Sequence, residues 1–258
     1  MPDARRKTLE DLIARIAKGD RRAFDALYQA TSARLNAVCL ALLRDRREAE
    51  EVLEQAYIRI WKKARDFENS GLSPMAWLVT LAREEGMKRL RNGEASPIGA
   101  GDIQNPLQAV RIAYLHGLDL GRFAESAAIP VEAAQQRLHE ELAGLGALDR
   151  PDDLLAAELA LGLPDGPAAD AAQSRLATDP GFAQQVRDWE ERLARLADDL
   201  TPVMAPARAW QRIRESLGHG LAPLSVDPLE RTPWWRGTGG ILTAIVLAAA
   251  LGWYLWTT

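Results

Sequence analysis

Hydrophobic side chains recur at helical spacing along most of this 258-residue chain. In residues 49–64 the apolar positions return at i, i+3, i+4 and i+7, while carboxylates, lysines and other polar residues occupy the remaining positions. Residues 73–91 begin with Ser73 and Pro74, a typical N-cap and first helical residue, and end in cations. No stretch shows the sustained alternation of a half-buried strand. The pattern therefore predicts an all-α protein.

Glycine and proline divide this helical pattern into segments, because they favour turns and linkers over helix interiors. Two stretches rich in these residues are predicted linkers, and shorter breaks separate the helices between them. The predicted organisation is a helical domain at 1–92, a linker at 93–106, a group of short helices at 107–150, a second helical domain at 151–217, a linker at 218–236 and a terminal apolar helix at 237–258.

One predicted helix in the second domain carries a heptad-like apolar seam with carboxylates beside it. Successive seam residues are four, three, four and three positions apart: Phe182, Val186, Trp189, Leu193 and Leu196. Such a seam suits the groove or helix of a partner. It equally suits the core-facing side of a helix in its own small domain, and both interpretations stay open at this point.

The final 22 residues, 237–258, carry no charge, which is about the length that an α-helix needs to cross a bilayer. Arg231 and Arg236 precede this stretch, and tryptophans lie near both of its ends. Cations that precede a membrane span favour a cytoplasmic location for the preceding chain. Indole rings favour the membrane–water interface. We therefore predict a single transmembrane helix with the N-terminal bulk in the cytoplasm; a buried core helix is the alternative.

Charge separates the front of the chain from its back. The first 92 residues are net positive and the remainder net negative, although the whole chain has a formal charge of −4. This asymmetry favours a nucleic-acid partner for the front, or each half as a partner of the other. A single cysteine and three scattered histidines offer neither a disulfide nor a metal site, and no nucleophile–base pair is visible. We expect no enzyme activity, no metal and no cofactor.

Two stretches of the first domain, "GDRRAFDALYQATSARLNAVCLALLRDRREAEEVLEQAYIRIWKKARDF" and "SPMAWLVTLAR", carry a family resemblance. They resemble region 2 of bacterial sigma factors of the extracytoplasmic-function group. The resemblance implies that one helix faces the clamp helices of RNA polymerase and that the next captures melted promoter DNA. The implied polymerase-binding residues are Glu51, Glu54, Gln55, Arg59 and Trp61. The implied DNA-binding residues are Trp77, Arg83, Lys88, Arg89 and Arg91.

The chain departs from this family where DNA is expected to bind. Glu84 and Glu85 would repel phosphates, and Gly86 would weaken the helix that carries them. Residues 107–150 resemble the helix-turn-helix of sigma region 4, but their second helix is acidic and poor in DNA-contacting residues. We therefore expect weak promoter recognition.

Residues 152–217 resemble the cytoplasmic domain of zinc-free anti-sigma factors, the group named for the anti-sigma-K factor. The stretches that carry the resemblance are "DDLLAAELALGLPDG", "RLATDPGFAQQVRDWEERLARLADDLTPV" and "PARAWQRIRESL". The resemblance implies that the apolar seam binds a sigma factor, and that no metal is involved. We expect the seam to meet the apolar surface around Tyr57, Ile60 and Trp61 in an intramolecular complex.

These observations predict a regulator of transcription initiation in the bacterial inner membrane, in which an anti-sigma module sequesters a sigma factor from RNA polymerase. The partners would be a sigma factor domain, in cis or in trans, RNA polymerase core and the membrane, with only weak binding to promoter DNA. Two alternatives stay open. The chain is either a functional sigma factor held inactive until proteolysis, or an adaptor that does not bind DNA.

Overall fold

A computed structural model describes residues 2–94, 108–146, 148–164 and 166–219, and the chain up to Gly218 forms one compact unit. The predicted linkers 93–106 and 218–236 lie almost wholly outside the described residues. The helices that the structure describes are α1 (Pro2–Ile16), α2 (Arg21–Leu42), α3 (Arg46–Lys63), α4 (Pro74–Arg91), α5 (Ala109–His116), α6 (Leu120–Ala127), α7 (Val131–Leu145), α8 (Asp153–Leu161), α9 (Gly166–Thr178), α10 (Pro180–Ala194) and α11 (Ala207–Ser216).

Helices α1 to α4 pack into one bundle, with α2 against α1, α3 and α4. Aspartates cap two of these helices: Asp20 accepts from the first backbone amides of α2, and Asp45 does the same for α3. Gly86 lies where α4 approaches α2, and a Cβ atom there would lie 2.9 Å from Leu42 Cδ1. The glycine that was predicted to weaken α4 therefore allows it to pack closely against α2.

Helices α5 to α7 form a short helical group beside this bundle. Gly117 ends α5 in the left-handed conformation, and a Cβ atom there would meet Met87 Sδ at 2.7 Å. The carboxylate of Glu141 on α7 accepts from the backbone amides of Ala109 and Val110, each at 2.9 Å. An acidic residue of the second helix in this helix-turn-helix-like segment thus caps the start of α5.

Helices α8 to α11 form the remaining part of the unit. Helix α10 packs against α8, α9 and α4, whereas α11 packs against α3. An extended segment at residues 201–206 connects the two regions, so α11 reaches a surface that α10 does not contact. The second helical segment therefore lies against the first bundle at two separate places.

The prediction of a transmembrane helix is corrected. Among the residues that the structure describes, no helix is both long enough and apolar enough to cross a bilayer. The longest, α2, has 22 residues but carries four charged side chains: Arg21, Arg22, Asp25 and Arg34. The stretch 237–258 lies outside the described residues. The fold class becomes all-helical without the predicted span, and the inner-membrane localisation that depended on it is withdrawn.

Candidate functional site

Helix α3 holds two buried glutamates that are covered by arginines from α11. The side chain of Glu50 is only 2% exposed; it accepts from Arg208 Nε at 2.6 Å and from Arg212 Nη2 at 3.2 Å. Glu54, one turn later, pairs with Arg212 Nη1 at 3.0 Å. Burial raises the pKa of Glu54, and the nearby arginines oppose that rise. One of the residues predicted to bind polymerase is thus covered by the chain's own C-terminal segment.

An aromatic contact extends the same interface between α11 and the first bundle. The ring of Trp210 stacks on Tyr28, with centroids 4.3 Å apart, and lies 5.7 Å from the ring of Phe24. Trp61, another predicted polymerase contact, is partly buried and packs edge-on against Phe24 at 5.2 Å. Gln55 is exposed on α3. The aromatic surface near Trp61 is therefore already occupied by α11.

Two further predicted polymerase contacts form ion pairs with α4. Glu51 accepts from Arg89 Nη1 at 2.8 Å, and this hydrogen bond lowers the pKa of the carboxyl group. Arg59 donates to Glu85 at 2.9 Å and also pairs with Glu84. The two carboxylates predicted to repel phosphates therefore connect α4 to α3.

The predicted DNA-binding residues of α4 differ in their exposure. Trp77 is buried and packs edge-on against Phe67 at 5.3 Å. Arg83 is 6% exposed, Arg89 is half-buried in its ion pair, and only Lys88 and Arg91 are exposed. The structure therefore leaves two of the five residues open to solvent.

Arg83 is held by the carboxyl ends of two helices. Its Nε donates to the carbonyl of Tyr114 at 2.8 Å, and Nη2 donates to Ala113 at 3.4 Å, both in α5. In α8, Nη1 donates to Ala160 at 3.2 Å, and Nη2 also donates to Leu161. The last carbonyls of a helix lack intrahelical partners and carry partial negative charge, which suits a guanidinium. Arg83 therefore joins α4, α5 and α8 and is not available to a phosphate.

The apolar seam of α10 is buried inside the chain. Four of its residues, Phe182, Val186, Trp189 and Leu193, are at most 4% exposed, and Leu196 is partly buried. The seam packs against α8 and α4 rather than on the expected surface of α3. Tyr57 and Ile60 are fully buried in the first bundle, so the expected apolar surface is not exposed to a partner helix.

Polar side chains around α10 make further contacts with the front of the chain. Glu191 accepts from the backbone amide of Ser73 at 2.9 Å and so caps the start of α4, where the Ser73 side chain makes no capping bond. Asp198 pairs with Arg34, and Asp199 pairs with Arg111 at 2.7 Å. The acidic back of the chain thus meets basic residues of both preceding segments.

Sequence reasoning missed the residues that form the α11 interface: Glu50, Arg208, Trp210 and Arg212. A signal was present, since two arginines one turn apart in α11 match two glutamates one turn apart in α3. Asn36 was missed as well. Its Nδ2 donates to the carbonyls of Val203 at 3.1 Å and Met204 at 3.3 Å and holds the extended segment that precedes α11.

Residues 27–95 match the Sigma-70 region 2 family. This match covers α3, α4 and most of α2. The front of the chain is sigma-like. Curated relatives agree: an ECF RNA polymerase sigma factor SigK of Mycobacterium sp. (strain JLS) is 26% identical over 170 residues, covering 53% of this chain and 88% of the relative. SigK of Mycobacterium ulcerans (strain Agy99) is 25% identical over 177 residues, covering 56% and 95%. SigK of Mycobacterium sp. (strain KMS) is 35% identical over 107 residues, covering 40% and 55%.

These comparisons confirm the sigma-factor part of the predicted resemblance and a role in transcription initiation. The sigma-factor relatives are non-enzymatic transcription regulators, which agrees with the expectation of no enzyme activity. They do not show the anti-sigma part. In the two longest of these alignments, nearly half of this chain lies outside the matched region.

Proposed function

We propose that residues 152–217 act as an anti-sigma module that masks the sigma-like domain of the same chain. The observation that carries this proposal is the α11 interface, in which Arg208 and Arg212 cover the buried carboxylate of Glu50. The sigma-like domain would bind RNA polymerase core through α3 only when α11 leaves that surface. The chain would then be a regulator of transcription initiation that is inactive in its closed form.

The charge arrangement supports masking through α11. A carboxylate as buried as Glu50 is stable only when it is paired, so the arginines of α11 are required as long as the surface stays closed. In the open form Glu50 and Glu54 would become a pair of exposed carboxylates one turn apart, next to Gln55 and Trp61. Such a polar surface with one aromatic side chain is suited to a protein partner.

The state of α4 supports weak promoter binding in the closed form. Arg83 is bound by helix carbonyls, and Arg89 is paired with Glu51, so only Lys88 and Arg91 remain for phosphates. Two exposed cations give a weak interaction that depends on salt, without sequence readout.

Masking in cis is favoured over capture of a different sigma factor. The seam residues that would bind such a protein, Trp189 and Leu193 among them, are fully buried within this chain. Capture in trans would first require α10 to leave α8 and α4. A working sigma factor released by proteolysis and an adaptor without DNA binding remain alternatives, and they differ in whether the opened chain binds promoter DNA.

The test compares two double variants of the full chain for binding to RNA polymerase core in biolayer interferometry. Replacing both Arg208 and Arg212 with alanine leaves buried charge on α3 uncompensated, which costs about 3–5 kcal/mol in the closed form. Opening should tighten apparent binding by at least about tenfold, because the apparent affinity scales with the competent fraction. The control replaces Arg195 and Arg214 with alanine. It removes the same charge, but these arginines are not the ones that pair with Glu50 and Glu54.

Equal binding by the two double variants would contradict the proposal, whether both bind weakly or both bind tightly. Tighter polymerase binding by the Arg208/Arg212 variant, followed by promoter opening, would favour the working sigma factor. Tighter polymerase binding without promoter opening would favour the regulator with weak DNA recognition.

A further inference from the structure

A cavity of about 670 Å³ lies between α4 on one side and α8, α9 and α10 on the other. This volume is within the range of small-molecule sites, which often lie between separate parts of a protein. The cavity is separate from the α11 interface, and neither Arg208 nor Arg212 lines it. It therefore needs a separate explanation.

One end of the cavity holds polar groups without a partner among the described residues. Tyr114 is 2% exposed, and its hydroxyl group makes no hydrogen bond there. Glu190 also lines the cavity, and its carboxylate has no ion pair with any described residue. Burial, and secondly the charge of Glu84, raise the pKa of Glu190 to about 7. A buried hydroxyl normally has a partner, so the hydroxyl of Tyr114, together with the partly buried carboxylate of Glu190, indicates a ligand with hydrogen-bond donors.

The α4 side of the cavity is positively charged. Lys88 and Arg91 lie one turn apart, both line the cavity, and neither is paired within the described part of the chain. Arg83 also lines the cavity, but its guanidinium is held by the carbonyls of α5 and α8, and the charge of Arg59 is balanced by its pairing with Glu84. The cavity therefore combines an anion-binding side with an acceptor side.

Apolar side chains lie between these charged groups, among them Met87, Leu176 and Val186. We propose that the cavity binds a guanine nucleotide, with its phosphate at Lys88 and Arg91 and its base at Glu190. The N1–H and amino groups of guanine point in the same direction and can donate to both oxygens of one carboxylate. Adenine offers only its amino group in this arrangement.

The ligand would touch α4 and α8–α10 at once and would stabilise their association. This regulatory consequence rests on the proposed masking function, whereas the binding itself does not. The polymerase assay described above contains no nucleotide, so failure of one proposal is distinguishable from failure of the other.

Calorimetric titration of the full chain with GMP, guanosine and inorganic phosphate at about pH 8, where the Glu190 carboxyl group is mostly ionised, tests the site. GMP should bind at least about tenfold more tightly than either fragment, because only GMP engages both ends. Glu190→Gln should weaken GMP binding by at least about tenfold, since it removes an acceptor that matches two donors. Replacing Lys88 and Arg91 with alanine should abolish the preference for GMP over guanosine. The matched control replaces Lys62 and Lys63, which are exposed on α3 away from the cavity.

Absence of GMP binding at about 1 mM, the weak end of ordinary affinities, would overturn the proposal. An unchanged affinity in Glu190→Gln, with an unchanged circular dichroism spectrum, would overturn it as well. Binding of a single-stranded oligonucleotide that GMP does not displace would assign the exposed cations to DNA and also count against the nucleotide site.

Discussion

Helices α10 and α11 hold the C-terminal segment against the sigma-like domain by different means. Helix α10 buries four large apolar side chains, and Trp189 is fully enclosed. Helix α11 buries only Ala209 and Ile213, and otherwise relies on two arginines and the half-buried ring of Trp210. Apolar burial stabilises α10 in proportion to the area removed from water, whereas the side chain of Arg208 is 64% exposed.

This difference indicates that the two contacts differ in stability. The α10 contact is part of the core of the unit, and breaking it would expose a large apolar surface. The α11 contact has a small apolar base and can separate while the core stays folded. Regions that move in regulation are drawn from the less stable parts of a protein. A release step would therefore begin at α11.

The largest expected effect comes from truncating the α10 anchor. Trp189→Ala should lower the free energy of unfolding by about 3–5 kcal/mol, because it leaves a large cavity in the core. Trp210→Ala is the matched control in α11, and its cost should be clearly smaller because that ring is only partly buried. Urea denaturation of both variants measures the difference. Equal losses of unfolding free energy would show that the two tryptophans stabilise the fold to the same extent, and would contradict this prediction.

A second prediction concerns Glu190 on α10, which faces Arg83 and Glu84 of α4, Arg187 of its own helix and Tyr114 of α5. Its pKa rises from 4.5 to about 7 on folding, so the folded state binds the proton more tightly. The resulting stability is complete below about pH 4.5 and is lost as the pH rises through 7.

Since each pKa unit is worth about 1.4 kcal/mol, the full loss of stability is about 3–4 kcal/mol. Glu190→Gln should remove this loss. The stability of the variant relative to the parent should therefore be greater at pH 8 than at pH 5. Urea denaturation at the two pH values compares the chains. The same pH dependence in both would refute the assignment.

The smallest effects are expected in the extended segment that precedes α11. Asn36→Ala removes two partly buried hydrogen bonds to Val203 and Met204 and should cost about 1–2 kcal/mol. Asp198→Ala breaks an exposed pair with Arg34 and should cost less than about 1 kcal/mol.

Hydrogen exchange of the α11 amides should accelerate in the Asn36 variant and change little in the Asp198 variant. Faster exchange in α10 as well would mean that the two helices open together. That result would remove the distinction on which the comparison rests.

Helical periodicity in the sequence determined that the described part of the chain is helical and which side of α10 is buried. Local chemistry identified Ser73 and Pro74 as the start of α4, because the preferences for these positions depend only on adjacent residues. The match of residues 27–95 to sigma region 2 was also visible in the order of apolar and aromatic positions. The span predicted at 237–258 has no counterpart among the described helices, none of which could cross a bilayer.

Only the tertiary structure decided what the polar residues contact. Arg83 lies on a basic helix and was assigned to DNA, yet it binds carbonyls more than 30 positions away in α5 and α8. Glu50 was overlooked, although Arg208 contacts it from 158 positions along the chain. Periodicity specifies which side of a helix faces inward. It does not specify the opposing surface, because that depends on how distant segments pack and on where a buried charge finds its partner.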